Sequence, residues 1–497
     1  MKHTGELLEH WAREAGDRLA LLEPGGRQHS FASLHDRVRR LAAALRQQGL
    51  APGHRIVLLL PMGIDLYEVL LAVFHAGATA VLVDPQAGLT HMSDCLSRIG
   101  VHGLIGVPKA HLLRLRVSAL RGGVIYASTG LTFPLANRLH KLSAEPCPRF
   151  SPPQGEPALV TFTTGTSGMP KAIGRTHAFL LAQHNVLKTH MHLAAGDIDL
   201  PTLPVFLLNS LAAGATCILP DGDLRDVSKL DPGRVAAQIF SHNITTISGS
   251  PAFFEPIVAH LLDRQTSAPT VKKVFVGGAR VRSQLLQQMV QALPNARIEV
   301  LYGSTEAEPM ASVDAQTVLT ETQAREEAGE GTCVGSAVPG LAVRIADPDQ
   351  RIDTASGEVG EIWVAGDHVN THYYKDPDSD AANKVREGDR IWHRTGDAAW
   401  QDTQGRLWLV GRVTDRVAGR FPFQVEAIAE AFEGVNRAAL MELAGQAVVV
   451  FEGSAKPEAV ATATATQRAI RIERIPTDAR HRAKIDRAAL AELLRGR

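Results

Sequence analysis

Short apolar runs alternate with amphipathic stretches along the first part of the chain. Between residues 33 and 48, apolar side chains recur at helical spacing, which predicts a helix. The apolar run at 55–60 is typical of a buried strand. A helical stretch at about 65–76 and a further strand at 79–83 follow it. This order of strand, helix and strand predicts a parallel α/β sheet.

The same alternation continues, and its character then changes at about residue 331. Strands are predicted at 158–163, 245–248, 273–276 and 298–301, with helices at 177–190 and 283–293. Beyond 331, short runs at 342–345, 360–365 and 407–410 are separated by Gly and Asp turns and predict antiparallel structure. The last segment of the chain combines a helix near 425–433, a strand at 447–451 and a basic helix-like tail from 483.

Composition excludes several classes of protein. The 497 residues include 52 Lys and Arg against 52 Asp and Glu, and this balance argues against a general binder of nucleic acids or anionic membranes. The four cysteines lie far apart without a Cys-x-x-Cys pair, which disfavours a zinc cage or a disulfide framework. The N-terminus does not resemble a signal peptide, and no apolar run approaches the ~20 residues of a membrane span. We therefore expect a cytoplasmic protein.

A stretch rich in hydroxyl groups and glycine suggests a phosphate-binding loop. Small residues allow a close approach of the backbone, and a lysine adds a positive charge. The spacing differs from that of a P-loop, because Lys171 is followed by alanine. Taken alone, such a stretch is also typical of a flexible turn. Besides Lys171, the candidate nucleotide-binding residues of this loop are Thr163, Thr164, Gly165, Thr166, Ser167 and Gly168.

Tyr302, Gly303, Ser304, Thr305 and Glu306 form a second motif at the end of a predicted parallel strand. We expect the glycine to turn the chain there. Ligands of α/β sheets bind at the carboxyl ends of strands. Tyr302 offers a flat face for a base, and Glu306 offers an oxygen ligand for magnesium beside phosphates. The same residues are also compatible with a helix N-cap.

Two further motifs carry single charged groups of interest. Asp397, within the run 393–397, is expected on a turn where its carboxylate accepts both hydroxyls of a ribose. A plain hairpin turn is the alternative. Lys484, within 478–486, is placed to neutralise charge on a phosphate. A solvated basic face is the alternative for that segment.

Together, the order and spacing of the four motifs resemble the adenylate-forming superfamily of acyl-CoA synthetases, luciferases and adenylation domains. The resemblance implies that the loop at 163–171 binds the β- and γ-phosphates of ATP, with Thr166 and Glu306 as magnesium ligands. It implies further that Thr305 meets the α-phosphate and that Lys484 is the mobile lysine that promotes adenylation. The remaining implied roles are adenine binding by Tyr302 with Gly277, Gly278 and Ala279, ribose binding by Asp397 with Arg412, and a hinge at Asp415.

The resemblance also implies a fold and a reaction. The fold is α/β, with residues 1–411 forming a large domain of parallel βα units plus a small distorted β-barrel. Residues 412–497 would form a small mobile α+β domain. The reaction joins a carboxylate to the α-phosphate of ATP, with Mg2+ as cofactor, and releases pyrophosphate. A second acceptor then takes the acyl group.

Departures from the superfamily pattern narrow this interpretation. The acid-binding strand region, here 203–210, has no histidine, and the segment after the hinge lacks the usual lysine. These departures argue against CoA as the acceptor of the acyl group. CoA, a carrier protein and the substrate's own hydroxyl group all stay open as acceptors. The stretches 199–206, 422–426 and 480–485 are most similar to the β-lactone synthetases of olefin biosynthesis. In that branch the hydroxyl group of a β-hydroxy acid closes on its own acyl-AMP.

The predicted substrate pocket is apolar and favours a hydrophobic acid. An unpaired ammonium group would be costly to bury there, although an enzyme for amino or aryl acids stays an alternative. A nucleotide-binding homologue without activity is the alternative from another class. The sequence leaves the oligomeric state open, a homodimer included. The pocket residues are Val205, Phe206, Asn209, Ser250, Phe253, Gly278 and Met310, each of which is also compatible with an ordinary core position.

Overall fold

The computed structural model describes residues 2–164, 170–477 and 484–495. Its strands are β1 Leu19–Leu22, β2 Gln28–Ser30, β3 Arg55–Leu59, β4 Thr79–Leu82, β5 Gly103–Gly106, β6 Ile125–Ser128, β7 Asn137–Arg138, β8 Leu159–Thr164, β9 Pro170–Arg175, β10 Ile198–Pro201, β11 Thr216–Ile218, β12 Thr246–Gly249, β13 Lys273–Gly277, β14 Arg297–Ser304, β15 Ala307–Asp314, β16 Thr332–Ala337, β17 Ala342–Ala346, β18 Gly360–Ala365, β19 Lys384–Glu387, β20 Arg390–Gln401, β21 Leu407–Arg412, β22 Val435–Leu443, β23 Gln446–Gly453 and β24 Arg468–Arg471.

The α-helices are α1 Gly5–Glu14, α2 Phe31–Gln47, α3 Ile64–His75, α4 Leu89–Ile99, α5 Leu113–Arg116, α6 His177–His190, α7 Pro204–Ala213, α8 Pro232–Ser241, α9 Pro251–Asp263, α10 Ser283–Ala292, α11 Ala315–Thr317, α12 Gln323–Glu327, α13 Pro377–Asn383, α14 Pro422–Ala431, α15 Pro457–Ala463 and α16 Arg487–Leu494. Short 3-10 turns lie at Pro85–Ala87, Pro108–Leu112, Ser118–Leu120, Leu139–Lys141, Val227–Lys229 and Val413–Asp415, and a π-helical turn lies at Val318–Thr322.

The predicted α/β alternation is confirmed as two large sheets. The first has the order β7-β6-β5-β3-β4-β8-β9 and is parallel except for the antiparallel edge pair β8–β9. In the second, β1, β11, β10, β12, β13 and β14 are parallel neighbours. In both sheets, apolar strands are covered by amphipathic helices, as buried parallel strands require.

The predicted antiparallel region extends the second sheet, and the expected β-barrel is not formed. From β14 onward the order is β15, β16, β21, β20, β18 and β17, with β19 on β20. The pairs at this end are antiparallel, so the ladder continues directly from the parallel half. Across the described ranges, its last strand does not pair back onto its first. The sheet is therefore open.

The segment 203–210, expected as a strand, is the first part of helix α7. Pro204 occupies the first helical turn, where its missing N–H costs nothing, and Gly214 ends the helix in the left-handed region (φ 81°). Phe206 and Leu207 are buried on this helix. A short run that is apolar all round has neither helical nor strand periodicity, which is why the sequence pattern did not distinguish the two.

The C-terminal segment builds a separate three-stranded sheet, β22-β23-β24. Alternate residues of β23 enter two different cores. Val449 and Phe451 pack in the cluster that contains Val425 of α14, whereas Val448 and Val450 pack in the cluster that contains Leu490 of α16. Both faces of this small sheet are therefore covered. In the described ranges, no helix has the length and apolar character that crossing a bilayer requires.

Asp199 is a buried carboxyl group in β10, which lies inside the second sheet. The hydroxyl of Ser210 on α7 donates to its Oδ2 over 2.6 Å, and no described group bonds its Oδ1. Burial raises the pKa of Asp199 to about 7. At mildly acidic pH the folded protein therefore favours the protonated carboxyl group of Asp199, whereas the unfolded chain favours its ionised form.

We predict that Asp199→Asn stabilises the protein more at high pH than at low pH. The stability that protonated Asp199 provides is lost as the pH rises from its unfolded pKa to about 7. An amide avoids that loss, so the gain in unfolding free energy should be about 2–3 kcal/mol larger at about pH 8 than at about pH 5. Urea unfolding of both proteins measures this difference. An equal effect at the two pH values would contradict it.

Candidate active site

Lys171 and Glu306, from separate motifs of the sequence, meet across the ring of Tyr373. Lys171 lies on β9, and its Nζ is 5.3 Å from the centroid of that ring. The hydroxyl of Tyr373 donates to Oε1 of Glu306 over 3.2 Å. The carboxylate of Glu306 opposes the fall in the pKa of Lys171 that burial causes. A cation and a carboxylate thus share one partly buried environment.

The segment from Val369 to Tyr373 fixes this arrangement through its backbone. Tyr373 forms an antiparallel bridge with Ile173 of β9, and Val369 forms one with Ala307 at the start of β15. The N–H of Asn370 donates to the carbonyl of Glu306 over 2.7 Å. One short segment therefore ties the strand of Lys171 to the turn that carries Glu306.

A third charged group, Lys384, belongs to the same cluster, although the sequence patterns did not indicate it. It is the first residue of β19, and its Nζ lies 4.8 Å from the centroid of the Tyr373 ring. Its ammonium group also donates to the carbonyl oxygen of Asn370. Burial lowers its pKa to about 8, helped by the charge of Lys171 and opposed by that of Glu306.

The turn between β14 and β15 falls on Thr305 and Glu306 instead of on the glycine. Gly303 and Ser304 still belong to β14, which pairs antiparallel with β15. Arg175 of β9 donates to the carbonyl of Thr305 over 2.6 Å, and the hydroxyl of Ser304 accepts from the N–H of Glu306. The alternative of a helix N-cap is therefore wrong, because a strand follows this turn.

Asp397 lies within strand β20, and the expectation of a turn there is wrong. The ladder with β18 shifts register at this point, and Gly396 adopts a φ of 72°, as expected for a bulge. The hydroxyl of Tyr302 donates to Asp397 Oδ2 over 2.6 Å, and Arg412 Nη1 donates to Oδ1 over 2.8 Å. A Cβ on Gly396 would lie 2.7 Å from Arg412 Nη2, so glycine gives this guanidinium its space.

The glycine loop after β13 lies beside the end of β14. Gly277 pairs in register with Leu301, and a Cβ on Gly277 would lie 2.5 Å from the Leu301 carbonyl oxygen. Gly278 has a φ of 83°, which only glycine adopts readily. With Ala279, this loop therefore adjoins the strand that carries Tyr302 near its end. Their contact with adenine stays a prediction.

The predicted pocket residues lie around the ends of β12 to β14, in three neighbouring clusters. Val205 and Phe206 pack with Phe275 and Leu301, whereas Met310 packs with Tyr302. Ser250 and Phe253 open helix α9, where Phe253 is fully buried. Asn209 accepts a 2.8 Å hydrogen bond from His184 Nδ1, a polar pair between α6 and α7. The structure brings Val205 and Phe206 together, and it places Phe253 in the core beneath α9.

Several predicted residues await a test of their roles. Gly165, Thr166, Ser167 and Gly168 lie outside the described residues, as does the side chain of Thr164. Thr163 pairs with Lys171 in the β8–β9 ladder. Lys484 is exposed just before α16, and its approach to a nucleotide remains a prediction. Asp415 Oδ2 lies 3.9 Å from Nε of Arg487 on α16, so the proposed hinge contacts the last helix.

Four site residues were missed by sequence reasoning: Arg175, Asn370, Tyr373 and Lys384. Arg175 and Lys171 share strand β9, so a search of the strand after the loop would have included it. Tyr373 is one of only five tyrosines in the chain, and it precedes the Asp397 motif closely. Lys384 carries no comparable signal, because its burial depends on long-range contacts that a sequence pattern does not contain.

Comparison with known proteins identifies the family. The family model described as AMP-binding enzyme matches residues 8–374, which is most of the chain. The chain therefore belongs to the AMP-binding enzyme family, and the resemblance to adenylate-forming enzymes is confirmed. Among its relatives, an olefin beta-lactone synthetase of Stenotrophomonas maltophilia (strain K279a) is 33% identical, over 97% of this chain and 96% of its own.

A second relative and one solved structure are also similar to the chain. An olefin beta-lactone synthetase of Xanthomonas campestris pv. campestris is 31% identical, over 97% of this chain and 96% of its own. The solved structure of the amide bond synthetase McbA from Marinactinospora thermotolerans matches with a TM-score of 0.83. That match covers 99% of this chain and 100% of McbA at 20% identity, so it shows the shared fold.

We predict that Lys384→Met weakens ATP binding about tenfold or more, because the cluster around Tyr373 loses one of its two ammonium groups. In the wild type, affinity should also fall as the pH rises through about 8, where Lys384 loses its proton. The variant should lose most of that pH dependence. Titration calorimetry with ATP across this pH range measures both effects.

Lys375→Met provides a matched control for this experiment. Lys375 also donates to a backbone carbonyl, that of Ile99, but it belongs to the loop beside Tyr374 and Arg55. We expect ATP affinity like that of the wild type. An equal loss of ATP affinity in both variants would show that Lys384 contributes to the stability of the fold and has no specific contact with ATP.

Proposed function

We propose that this protein activates a hydrophobic carboxylic acid with ATP, forming an acyl-AMP and releasing pyrophosphate. One observation carries the proposal. The ammonium groups of Lys171 and Lys384 lie 5.3 Å and 4.8 Å from the centroid of the Tyr373 ring. The hydroxyl of the same tyrosine donates to the carboxylate of Glu306. Burial lowers the pKa of both lysines although Glu306, Asp376 and Asp380 act to raise it, so a bound polyanion such as a triphosphate would stabilise the two charged ammonium groups further.

The residues around Tyr302 fit the nucleoside end of ATP. The carboxylate of Asp397 is oriented by a tyrosine hydroxyl and by Arg412, and it can accept hydrogen bonds from ribose hydroxyls. Tyr302 and the glycine loop 277–279 stand at the ends of neighbouring parallel strands, where α/β sheets bind ligands. We assign adenine to this edge of the second sheet.

Glu306 fits a magnesium ion that ATP brings with it. Magnesium often takes only one or two protein carboxylates and completes its shell with phosphate oxygens and water. In the described ranges, no cluster of three or more His, Cys, Asp or Glu residues could hold an ion without such help. When bound, the ion would stabilise negative charge on the phosphates. Glu306 would hold it, while Tyr373 orients that carboxylate.

We also propose a division into residues 1–411 and 412–497, with a hinge near Asp415. Strand β21 ends at Arg412, which bonds Asp397, and Asp415 follows within the next turn. The nucleotide site and the hinge are thus only a few residues apart. In this proposal the smaller part carries Lys484 to the phosphates during adenylation and releases it afterwards.

The apolar character of the predicted pocket supports a fatty acid or a β-hydroxy fatty acid as the substrate. Phe206, Phe275 and Leu301 form one cluster at the ends of β13 and β14, next to the proposed adenine site. The two relatives of nearly full length are both named olefin beta-lactone synthetases. We therefore favour closure of the acyl-AMP by the β-hydroxyl group of the substrate. Transfer to CoA or to a carrier thiol is the alternative.

We predict that pyrophosphate is released from ATP when long-chain β-hydroxy acids are supplied, and that added CoA does not change the product. Mass spectrometry should then find a compound that lacks one water relative to the acid. A thioester formed only with CoA would favour the alternative acceptor. No pyrophosphate release with fatty, β-hydroxy, aryl or amino acids would refute activation altogether.

We predict further that Lys484→Ala lowers the rate of adenylation by about 100-fold or more, because it removes a cation from the charge that develops at the phosphates. Lys456→Ala, at another exposed lysine of the C-terminal segment, is the control and should retain activity. The measurement is the rate of pyrophosphate release at saturating ATP. Unchanged release by Lys484→Ala would exclude the proposed role.

A further inference from the structure

Five large apolar side chains lie exposed on one short region of the first sheet. We call this set the apolar ridge: Leu112 and Leu115 are about half exposed (51% and 52%), and Leu131, Phe133 and Leu135 are 74%, 72% and 81% exposed. Large apolar patches on a surface usually mark a site of interaction. In the described ranges, six other large apolar residues are exposed: Val124 lies in the same part of the chain as the ridge, and the other five are spread over the rest of the sequence.

The outer part of the ridge has an inverted polarity pattern. The segment between β6 and β7 alternates, with Leu131, Phe133 and Leu135 exposed and with Thr132 and Pro134 partly covered. An alternating segment normally turns its apolar residues inward. Thr132 instead donates its hydroxyl to the carbonyl of Pro108 over 3.2 Å. The side of the segment that carries Thr132 therefore faces the protein, and the side chains of Leu131, Phe133 and Leu135 project outward.

Arg114 joins the two parts of the ridge. Its Nη1 donates to the carbonyl oxygens of Pro134 and Leu135, and its guanidinium lies 3.6 Å from the centroid of the Tyr126 ring. Arg114 belongs to α5, the helix that also carries Leu115. The segment 131–135 is thus held against α5, so the exposed side chains form one surface and do not belong to unrelated loops.

The charge along the part of the chain that carries the ridge has a single sign. From residue 95 to residue 144 the chain has seven Lys and Arg and no Asp or Glu, although the whole protein is neutral. Five of these basic residues are exposed in the structure: Lys109, Arg116, Arg121, Arg138 and Lys141. Exposed leucine and phenylalanine within a basic field match the boundary of an anionic lipid bilayer, which offers acyl chains beneath negative headgroups.

We propose that the apolar ridge and its basic surroundings dock the protein onto the surface of an anionic phospholipid bilayer. The apolar side chains enter the boundary between headgroups and acyl chains, while the lysine and arginine residues contact lipid phosphates. This docking is peripheral and needs no spanning helix. It is independent of the proposed reaction, because neither ATP nor an acid takes part in it.

Cosedimentation with vesicles tests the proposal. The wild-type chain should bind vesicles of phosphatidylcholine with phosphatidylglycerol, and it should bind much less to phosphatidylcholine alone or at high salt. The triple variant Leu131→Ser, Phe133→Ser and Leu135→Ser should bind the anionic vesicles at least about tenfold more weakly. The charge variant Arg116→Glu with Arg138→Glu should lose binding in the same assay.

A matched triple variant separates the ridge from general surface hydrophobicity. Phe240, Ile352 and Val359 are exposed apolar residues outside the ridge, and changing all three to serine should leave vesicle binding unchanged. Circular dichroism and ATP affinity report whether each variant is folded. Equal binding by the wild type and the ridge variant would overturn the proposal, as would an absence of binding by the wild type.

Self-association is the competing explanation for an uncovered apolar surface, and sedimentation velocity detects it. If a second copy of the chain covered the ridge, the wild type would sediment as a dimer and the ridge variant as a monomer. That result, with no binding to anionic vesicles, would overturn the proposal. A wild type whose sedimentation matches that of the ridge variant, together with vesicle binding that needs the ridge, supports membrane docking.

Discussion

The hydrogen bond from Tyr302 to Asp397 is the contact on which the arrangement of the site depends. Tyr302 lies near the end of the last strand of the parallel half of the second sheet, and Asp397 lies at a bulge of the antiparallel half. Arg412 bonds the same carboxylate just before the chain leaves for its C-terminal segment. One carboxylate therefore connects both halves of the sheet with the start of the last segment. A change at this carboxylate would disturb the path of the chain as well as the proposed ribose contact.

The charges beside this contact explain why the proposed ligand is a polyanion. Lys171, Lys384 and Glu306 share the ring and hydroxyl of Tyr373, and the burial of both lysines lowers their pKa values. Glu306 acts on both ammonium groups, Asp376 acts on Lys171 and Asp380 acts on Lys384, yet burial still disfavours the charged form of each lysine. A bound triphosphate would add further compensating negative charge. The backbone of Val369–Tyr373 holds the strand of Lys171 and the turn of Glu306 together.

Much of the fold could be predicted, because strand and helix periodicity depends on neighbouring residues. Helix 177–190 and strand 360–365 were predicted with the bounds that the structure shows. Helix α7 was mistaken for a strand, because a run that is apolar on every side has no period. Asp397 was expected on a turn, whereas Gly396 forms a bulge within β20 and Asp397 stays in the strand. Lys384 was missed because its burial depends on β20 and on Tyr373, and no local pattern records such contacts.

The strand order of the first sheet separates the apolar ridge from the proposed phosphate site. The connections before and after β6 form the apolar ridge, whereas Lys171 lies on β9, the opposite edge strand. Five strand spacings lie between β6 and β9, which is roughly 24 Å across the sheet. A molecule resting on a bilayer by one edge would therefore keep the proposed phosphate site at the other edge in the aqueous phase. Lipid-soluble acids and water-soluble nucleotide could then reach the same molecule from two different phases.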